Sequence, residues 1–299
     1  MVYDLARLSF YKEPQKRISI MENGEQPIIL AEKLLQINKT YNAPRSYEKK
    51  RGKSVVHIRR GYTDLVIRNF LKNDIKYDEH KLLAFKIGKP SKLKITSCSE
   101  DEFEESEEEH YPNIKVIWIR ERQLISIERN TAIFSNPELV INSLQDHLSN
   151  LLREYGLGVS IAFLSRTTPF WDYINEYQNR IYEVNFTLYA PNFFGDLQKT
   201  TKDMLELTKK SYNAEKLKIG ILSDQGKLNV VQDDEQTKNL LSWVGEGGGN
   251  WYIKVMGDTG KRITIKSSDS TRSVIVKLDE YNPEVVQRII VSILSELGT

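Results

Sequence analysis

Cysteine is nearly missing from this chain of 299 residues, where Cys98 stands alone. One thiol excludes an internal disulfide framework and fits a reducing, cytoplasmic setting. Histidine is almost as scarce. His57, His80, His110 and His147 are scattered, without the H-x-x-x-H or C-x-x-C spacing of a zinc site. No run of 18 apolar residues occurs, so nothing reads as a membrane span. Met1–Phe10 carries Asp4 and Arg7 where a secretory signal would need an apolar core. G-x-S-x-G is absent, and Cys98 borders an acidic block that would raise its pKa rather than activate it. Gly245–Gly249 follows a helix pattern and precedes a strand pattern, the reverse of a phosphate loop. These are turn glycines, whose one functional use would be a close approach to a DNA backbone. No cofactor, metal site or catalytic residue is implied.

What the chain does have is charge, in blocks. Its 43 Lys and Arg nearly cancel its 41 Asp and Glu, leaving +2. Lys39–Gly61 holds Lys39, Arg45, Lys49, Lys50, Arg51, Lys53, Arg59 and Arg60 against the lone acid Glu48, with Tyr41 and Tyr47 interleaved. Phosphates require cations and exposed bases stack on rings, so the mixture suits nucleic acid. A solvated basic loop fits the same residues. A second set, Lys199, Lys202, Lys209 and Lys210, lies on the polar face of a helix read over Leu197–Tyr212, with Met204, Leu205 and Leu207 inward. Neither set contains a base-reading module, so sequence-independent phosphate contact is the consistent mode. Between them, Glu100, Asp101, Glu102, Glu104, Glu105, Glu107, Glu108 and Glu109 repel one another. This block reads as an exposed linker; alternatively, it covers the basic loop when no DNA is bound.

The fold class is α+β, antiparallel hairpins alternating with single helices. Strands are expected at Val2–Phe10, Arg17–Met21 and Val55–Ile58, with a helix after Pro27. Ile114–Ile119 with Leu124–Ile127, Lys216–Leu222 with Leu228–Val231, and Trp251–Met256 with Arg262–Lys266 read as hairpins. Asn-Pro-Glu at 136–138 and again at 282–284 gives a cap, a first-turn proline and an acid at the positive helix end. Phe170, Trp171, Tyr173, Tyr182, Val184, Phe186, Leu188 and Phe194 read as core, with Arg166, Asp172 and Arg180 at the surface. The acidic block suggests units at 1–97 and 113–299 joined by a linker at 98–112, or one continuous unit.

From about Asn113 to Leu197 the features follow one order. They are the hairpin IKVIWIRERQLISIERN, the helix after Asn136, GVSIAFLSRTT, the strand NRIYEVNFTLYAP and Phe194-Gly195-Asp196-Leu197. That order resembles the RexA family of phage-exclusion proteins, and the layout is similar to KwaB of Kiwa anti-phage systems and to RdgC. Arg166-Thr167-Thr168 stands where that family would have Gly-Thr-Thr. The resemblance implies a homodimer that binds double-stranded DNA with little sequence preference and works with a separate membrane protein. It implies no catalytic residue. Two other readings are compatible with the residues: a metal-dependent nuclease using Asp74 and Glu79 beside Lys81, and an adaptor or inhibitor whose basic loop binds an acidic protein.

Overall fold

Residues 1–12, 26–41, 46–51, 54–59, 61–62, 64–71, 76–77, 80–98, 102–120, 122–189, 199–212, 214, 216–276 and 283–297 are described by the structure, a computed structural model. At 12, 46–51, 54–59, 76–77, 80–81, 199–200, 202, 209–210 and 283 the backbone alone is described. In chain order the elements are β1 (Val2–Lys12), α1 (Pro27–Ile37), β2 (Thr40–Tyr41), β3 (Ser46–Arg51), β4 (Ser54–Arg59), β5 (Leu65–Leu71), β6 (Lys76–Tyr77) and β7 (His80–Gly88). Then come β8 (Ser91–Cys98), β9 (Phe103–His110), β10 (Asn113–Ile119), β11 (Leu124–Arg129), α2 (Pro137–Leu152), β12 (Leu157–Phe163), α3 (Thr168–Glu176) and β13 (Ile181–Tyr189). The last third holds α4 (Lys199–Tyr212), β14 (Lys216–Leu222), α5 (Glu235–Gly245), β15 (Gly249–Met256), β16 (Arg262–Lys266), β17 (Ser273–Ile275) and α6 (Pro283–Leu297). The class is α+β, as the alternation of hairpins and helices predicts.

Local chemistry sets several boundaries. The Asn136 side chain accepts the Glu138 backbone N–H at 2.9 Å, with Pro137 in the first turn of α2. Asp234 does the same for the Thr237 N–H at 2.8 Å and starts α5. Gly156, in the left-handed region at φ 67°, ends the 3-10 turn that follows α2.

The main sheet has the order β12-β1-β11-β10-β7-β5-β2, with β17 beside β1 and β6 beside β7. Both of its faces are buried. Ile114, Val116 and Trp118 of β10 join Leu83, Phe85 and Ile87 of β7 under α1 and α2. The alternate residues Ile117 and Ile119, with Leu82 and Ala84, pack beneath Val286, Ile289, Ile290 and Ile293 of α6. Each fully buried side chain of this kind contributes about 1.5–3 kcal/mol, so the two-sided burial outweighs any single polar contact. Strands from 1–97 and from 113–163 interleave in this sheet. The 98–112 segment is therefore no boundary between sheets. Glu104, Glu105, Glu107, Glu108 and Glu109, expected as part of a linker, lie on strand β9, which pairs with β8 from Ser91↔His110 to Cys98↔Phe103, while Glu100 and Asp101 lie outside the described residues.

The second sheet runs β14-β13-β15-β16. Val184, Phe186 and Leu188 of β13 and Trp251, Ile253 and Val255 of β15 face Phe170 of α3, Leu205 of α4 and Leu241 and Val244 of α5. Phe170 lies edge-on to Trp171 and Trp251, at 5.0 and 5.1 Å between centroids. Arg166 and Arg180 are ion-paired at the surface, with Glu296 at 3.4 Å and Asp258 at 2.6 Å. Two expectations are corrected. Lys216–Leu222 does not pair with Leu228–Val231; it takes the open edge of β13, and Leu228 N–H instead reaches the Ile181 carbonyl at 3.1 Å. Leu207 is 66% exposed, because Thr201, Met204, Leu205 and Thr208 form the inner stripe of α4. Arg17–Met21 and Phe194 lie outside the described residues.

Arg7 of β1 joins the two sheets. Its guanidinium donates to the carbonyls of Glu246 at 2.9 Å and Arg122 at 3.0 Å, and pairs with the Glu246 carboxylate at 3.3 Å. The glycines after α5 are buried against it, and the Trp243 indole N–H donates to the Gly248 carbonyl at 2.9 Å. A loop so enclosed cannot approach a DNA backbone. Gly247 has φ +80°, and a Cβ there would overlap the Arg7 Cβ; Gly260 has φ +72° with nothing within 4 Å. Gly260→Ala should cost about 1 kcal/mol from backbone strain alone. Gly247→Ala should cost more, about 2–3 kcal/mol, in urea unfolding. Equal losses would mean that the Arg7 contact gives way without cost.

Candidate nucleic-acid interface

The basic stretch folds as a hairpin of its own. β3 and β4 pair from Ser46↔Arg59 to Arg51↔Ser54, and among the described residues they join no other strand. Lys49, Lys50 and Arg51 thus lie on β3 and Arg59 at the end of β4. At about 3.4 Å per residue the ribbon is roughly 20 Å long. Lys39 is exposed just before β2 and reaches over the Phe70 ring, 5.9 Å from its centroid. Arg45, Lys53 and Arg60 lie outside the described residues.

Lys199, Lys202, Lys209 and Lys210 are on α4, whose inner stripe packs on the second sheet. The structure does not bring them together with the ribbon. The ribbon grows from β2 and β5 at one edge of the main sheet, whereas the second sheet adjoins β12 at the opposite edge. Six strand spacings, about 29 Å, separate those edges. Asp203 and Glu206, both exposed, further dilute the charge of α4.

A third cationic surface is absent from the sequence reading. The outward face of the second sheet carries Lys216 and Lys218 on β14, Lys254 on β15, and Arg262 and Lys266 on β16. Tyrosines hold three of these cations. Lys216 Nζ lies 5.2 Å from the Tyr189 ring centre, Lys254 Nζ 5.2 Å from that of Tyr252, and the Arg262 guanidinium 4.1 Å from that of Tyr182. Single alternations such as Lys216, Lys218 or Tyr252, Lys254 are visible in the sequence, but their convergence needs the strand order. Beyond Tyr189 and Lys266 a cleft of about 310 Å³ opens toward Glu138, Asn142 and Gln145 of α2. Lys266 pairs with Glu138 across it at 3.6 Å. Gln145 and Ser149 meanwhile cap the outer edge of β12: Gln145 accepts the Ile161 N–H at 2.8 Å and Ser149 the Val159 N–H at 3.2 Å.

The remaining candidates have structural roles or lie beyond view. His147 is buried, its Nε2 2.9 Å from the Asn38 carbonyl and its ring stacked on Tyr41 at 4.3 Å. Asp74 and Glu79 lie outside the described residues, and Lys81 is near the start of β7. Among the described residues no group of three or more His, Cys, Asp or Glu could hold a metal ion. No described helix is long and apolar enough to cross a membrane. Comparison with known proteins gave no matching family model, no matching curated protein and no matching solved structure.

One acid is built into the cationic face. Glu183 accepts from the Tyr252 hydroxyl at 2.5 Å and from Lys254. Burial alone would raise its pKa; the hydrogen bonds from Lys254 and Tyr252 outweigh that and hold it below the ordinary carboxylate range. Burial and the same carboxylate push the Tyr252 phenol up to about 12. A carboxylate with a depressed folded pKa stabilises the fold above its unfolded value, about 4.3, and loses that contribution as pH falls through the folded value. Glu183→Gln should therefore be less stable than wild type near neutral pH, with the gap closing on acidification below about pH 4. Urea unfolding across pH tests this; a gap that persists in acid would assign Glu183 a role in packing only.

Proposed function

We propose that this protein binds double-stranded DNA without sequence preference, as the cytoplasmic DNA-binding component of an anti-phage exclusion system. The observation that carries the reading is the separate basic ribbon β3–β4. A two-stranded ribbon is one of the few elements narrow enough for the major groove, about 12 Å wide. Lys49, Lys50, Arg51 and Arg59 give it the cations that phosphate neutralisation requires. The lysines of α4 and the Lys216–Lys266 sheet face add cations remote from the ribbon, which suits backbone contact spread along a duplex more than a compact base-reading site. The exclusion role, the homodimer and the separate membrane-protein partner rest on the resemblance of Asn113–Leu197 to RexA-type proteins.

Duplex affinity measured across a salt series tests the reading. The log–log slope should be about −0.9 per phosphate contacted. Lys49→Ala, Lys50→Ala and Arg51→Ala together should flatten it by up to about 2.7, and Lys216→Ala with Lys218→Ala by up to about 1.8. The two effects should add, since the surfaces are far apart. Unrelated duplexes should bind alike. If wild type binds no duplex even at low salt, the DNA reading falls and an acidic protein partner for the ribbon replaces it.

A further inference from the structure

The basic and acidic ribbons leave the same end of the main sheet. One line of register runs Thr40↔Val66↔Gly88↔Asn113 across β2, β5, β7 and β10. The chain enters the basic ribbon just after Thr40–Tyr41 and returns to β5 at Leu65, next to Val66. It enters the acidic ribbon β8–β9 just after Gly88 and returns at Asn113. The roots of the two ribbons are therefore two strand spacings apart, about 10 Å.

One ring contact links these roots, and one charge on β5 is felt at the base of the acidic ribbon. Lys89, at the base of the acidic ribbon, places its Nζ 5.5 Å from the ring centre of Tyr62, which follows the basic ribbon. Tyr111, at the other base, donates to Glu109 at 2.8 Å, and that hydrogen bond raises its pKa while the charge of Arg68 on β5 opposes the rise. The acidic ribbon is also under-compensated within itself. Among the described residues, Lys92 pairs with Glu107 at 2.8 Å, and Lys94 is the cross-strand neighbour of the same Glu107. Two lysines stand against Glu104, Glu105, Glu107, Glu108 and Glu109, all exposed.

We infer that the acidic ribbon closes on the basic ribbon as an intramolecular stand-in for DNA phosphate, which a duplex must displace. The roots lie about one Debye length apart at 0.1 M salt, where that length is about 10 Å, so the attraction is attenuated there but not lost, and it is quenched near 1 M, where that length is about 3 Å. Covering the basic ribbon lowers affinity for incidental nucleic acid, and only a contact long enough to engage the other cationic surfaces as well opens the arm. The inference rests on the DNA-binding reading for its purpose, while the contact itself can be measured without DNA.

Cys98 sits at the far end of the acidic ribbon, opposite Phe103, and is exposed. Ser54→Cys places a second thiol at the far end of the basic ribbon, opposite Arg51. Spin labels on both should report a short distance at low salt that lengthens toward 1 M. Glu→Gln at 104, 105, 107, 108 and 109 should leave the distance long at every salt. The same variant should bind duplex on the order of tenfold tighter at 0.1 M salt, a typical size for coupling between two sites. A control with the same change in charge elsewhere (D172N, D224N, D233N, E235Q, D258N) should leave the distance unaltered and tighten binding less. A distance indifferent to both salt and the ribbon substitutions overturns the inference, as does equal tightening by the control. A distance that responds while no variant binds duplex sinks the DNA reading and leaves the ribbon contact standing.

Discussion

Strand β1 is paired on both edges, one over its first half and the other along nearly its whole length, and the rest of the molecule depends on that. One edge pairs with β11 from Val2 to Arg7; the other pairs with β17 at Val2–Asp4 and with β12 at Ala6–Lys12. The first strand of the chain thereby gathers segments more than 100 and about 270 residues away, beginning at Leu124 and Ser273. Loop closure over such spans costs entropy that grows only slowly with length, whereas each backbone pair and each buried side chain adds to the return. β1 also supplies Tyr3 and Leu5 to one core and Ala6, Leu8 and Phe10 to the other. Arg7 then reaches out of the sheet to hold the buried glycine turn after α5.

The charged surfaces are laid on this frame at its margins. The strands from β10 to β2 issue two hairpins of opposite charge from one end, and the second sheet, with its cationic face, adjoins β12 at the far edge. Neither needs the core to rearrange. Both sit where backbone and side chains are exposed, so their charges act through screened, salt-dependent fields. The glycine-rich turn, a surface candidate on composition alone, serves the interior instead.

Legibility in the sequence follows the range of the interactions. The caps at Asn136 and Asp234, the β10–β11 and β15–β16 hairpins and α6 depend on residues close in sequence, and each is readable there. The pairing of β14 shows where this stops. Lys216–Leu222 alternates like half of a hairpin, and its neighbour Leu228–Val231 alternates enough to suggest the other half. The edge of β13, more than 25 residues earlier, wins because it pairs seven residues and packs the half-buried Leu217 and Ile219 against the inner core. A run of glutamates likewise signals repulsion locally, yet β8 supplies a backbone partner for every residue from Phe103 to His110.

By itself the sequence determined the α+β class, the two NPE helix starts and the segregation of charge into one basic and one acidic block. These depend on residue type and short spacing alone. Tertiary structure decided that both blocks are ribbons rooted about 10 Å apart, that the α4 lysines lie far from them, and that Lys216, Lys218, Lys254, Arg262 and Lys266 share one face. The physical reason is that a period of two tells which side of a strand a residue occupies, but not which strand lies next to it. Strand order is chosen by burial summed over the whole sheet, and that choice turned two runs of charge into neighbours.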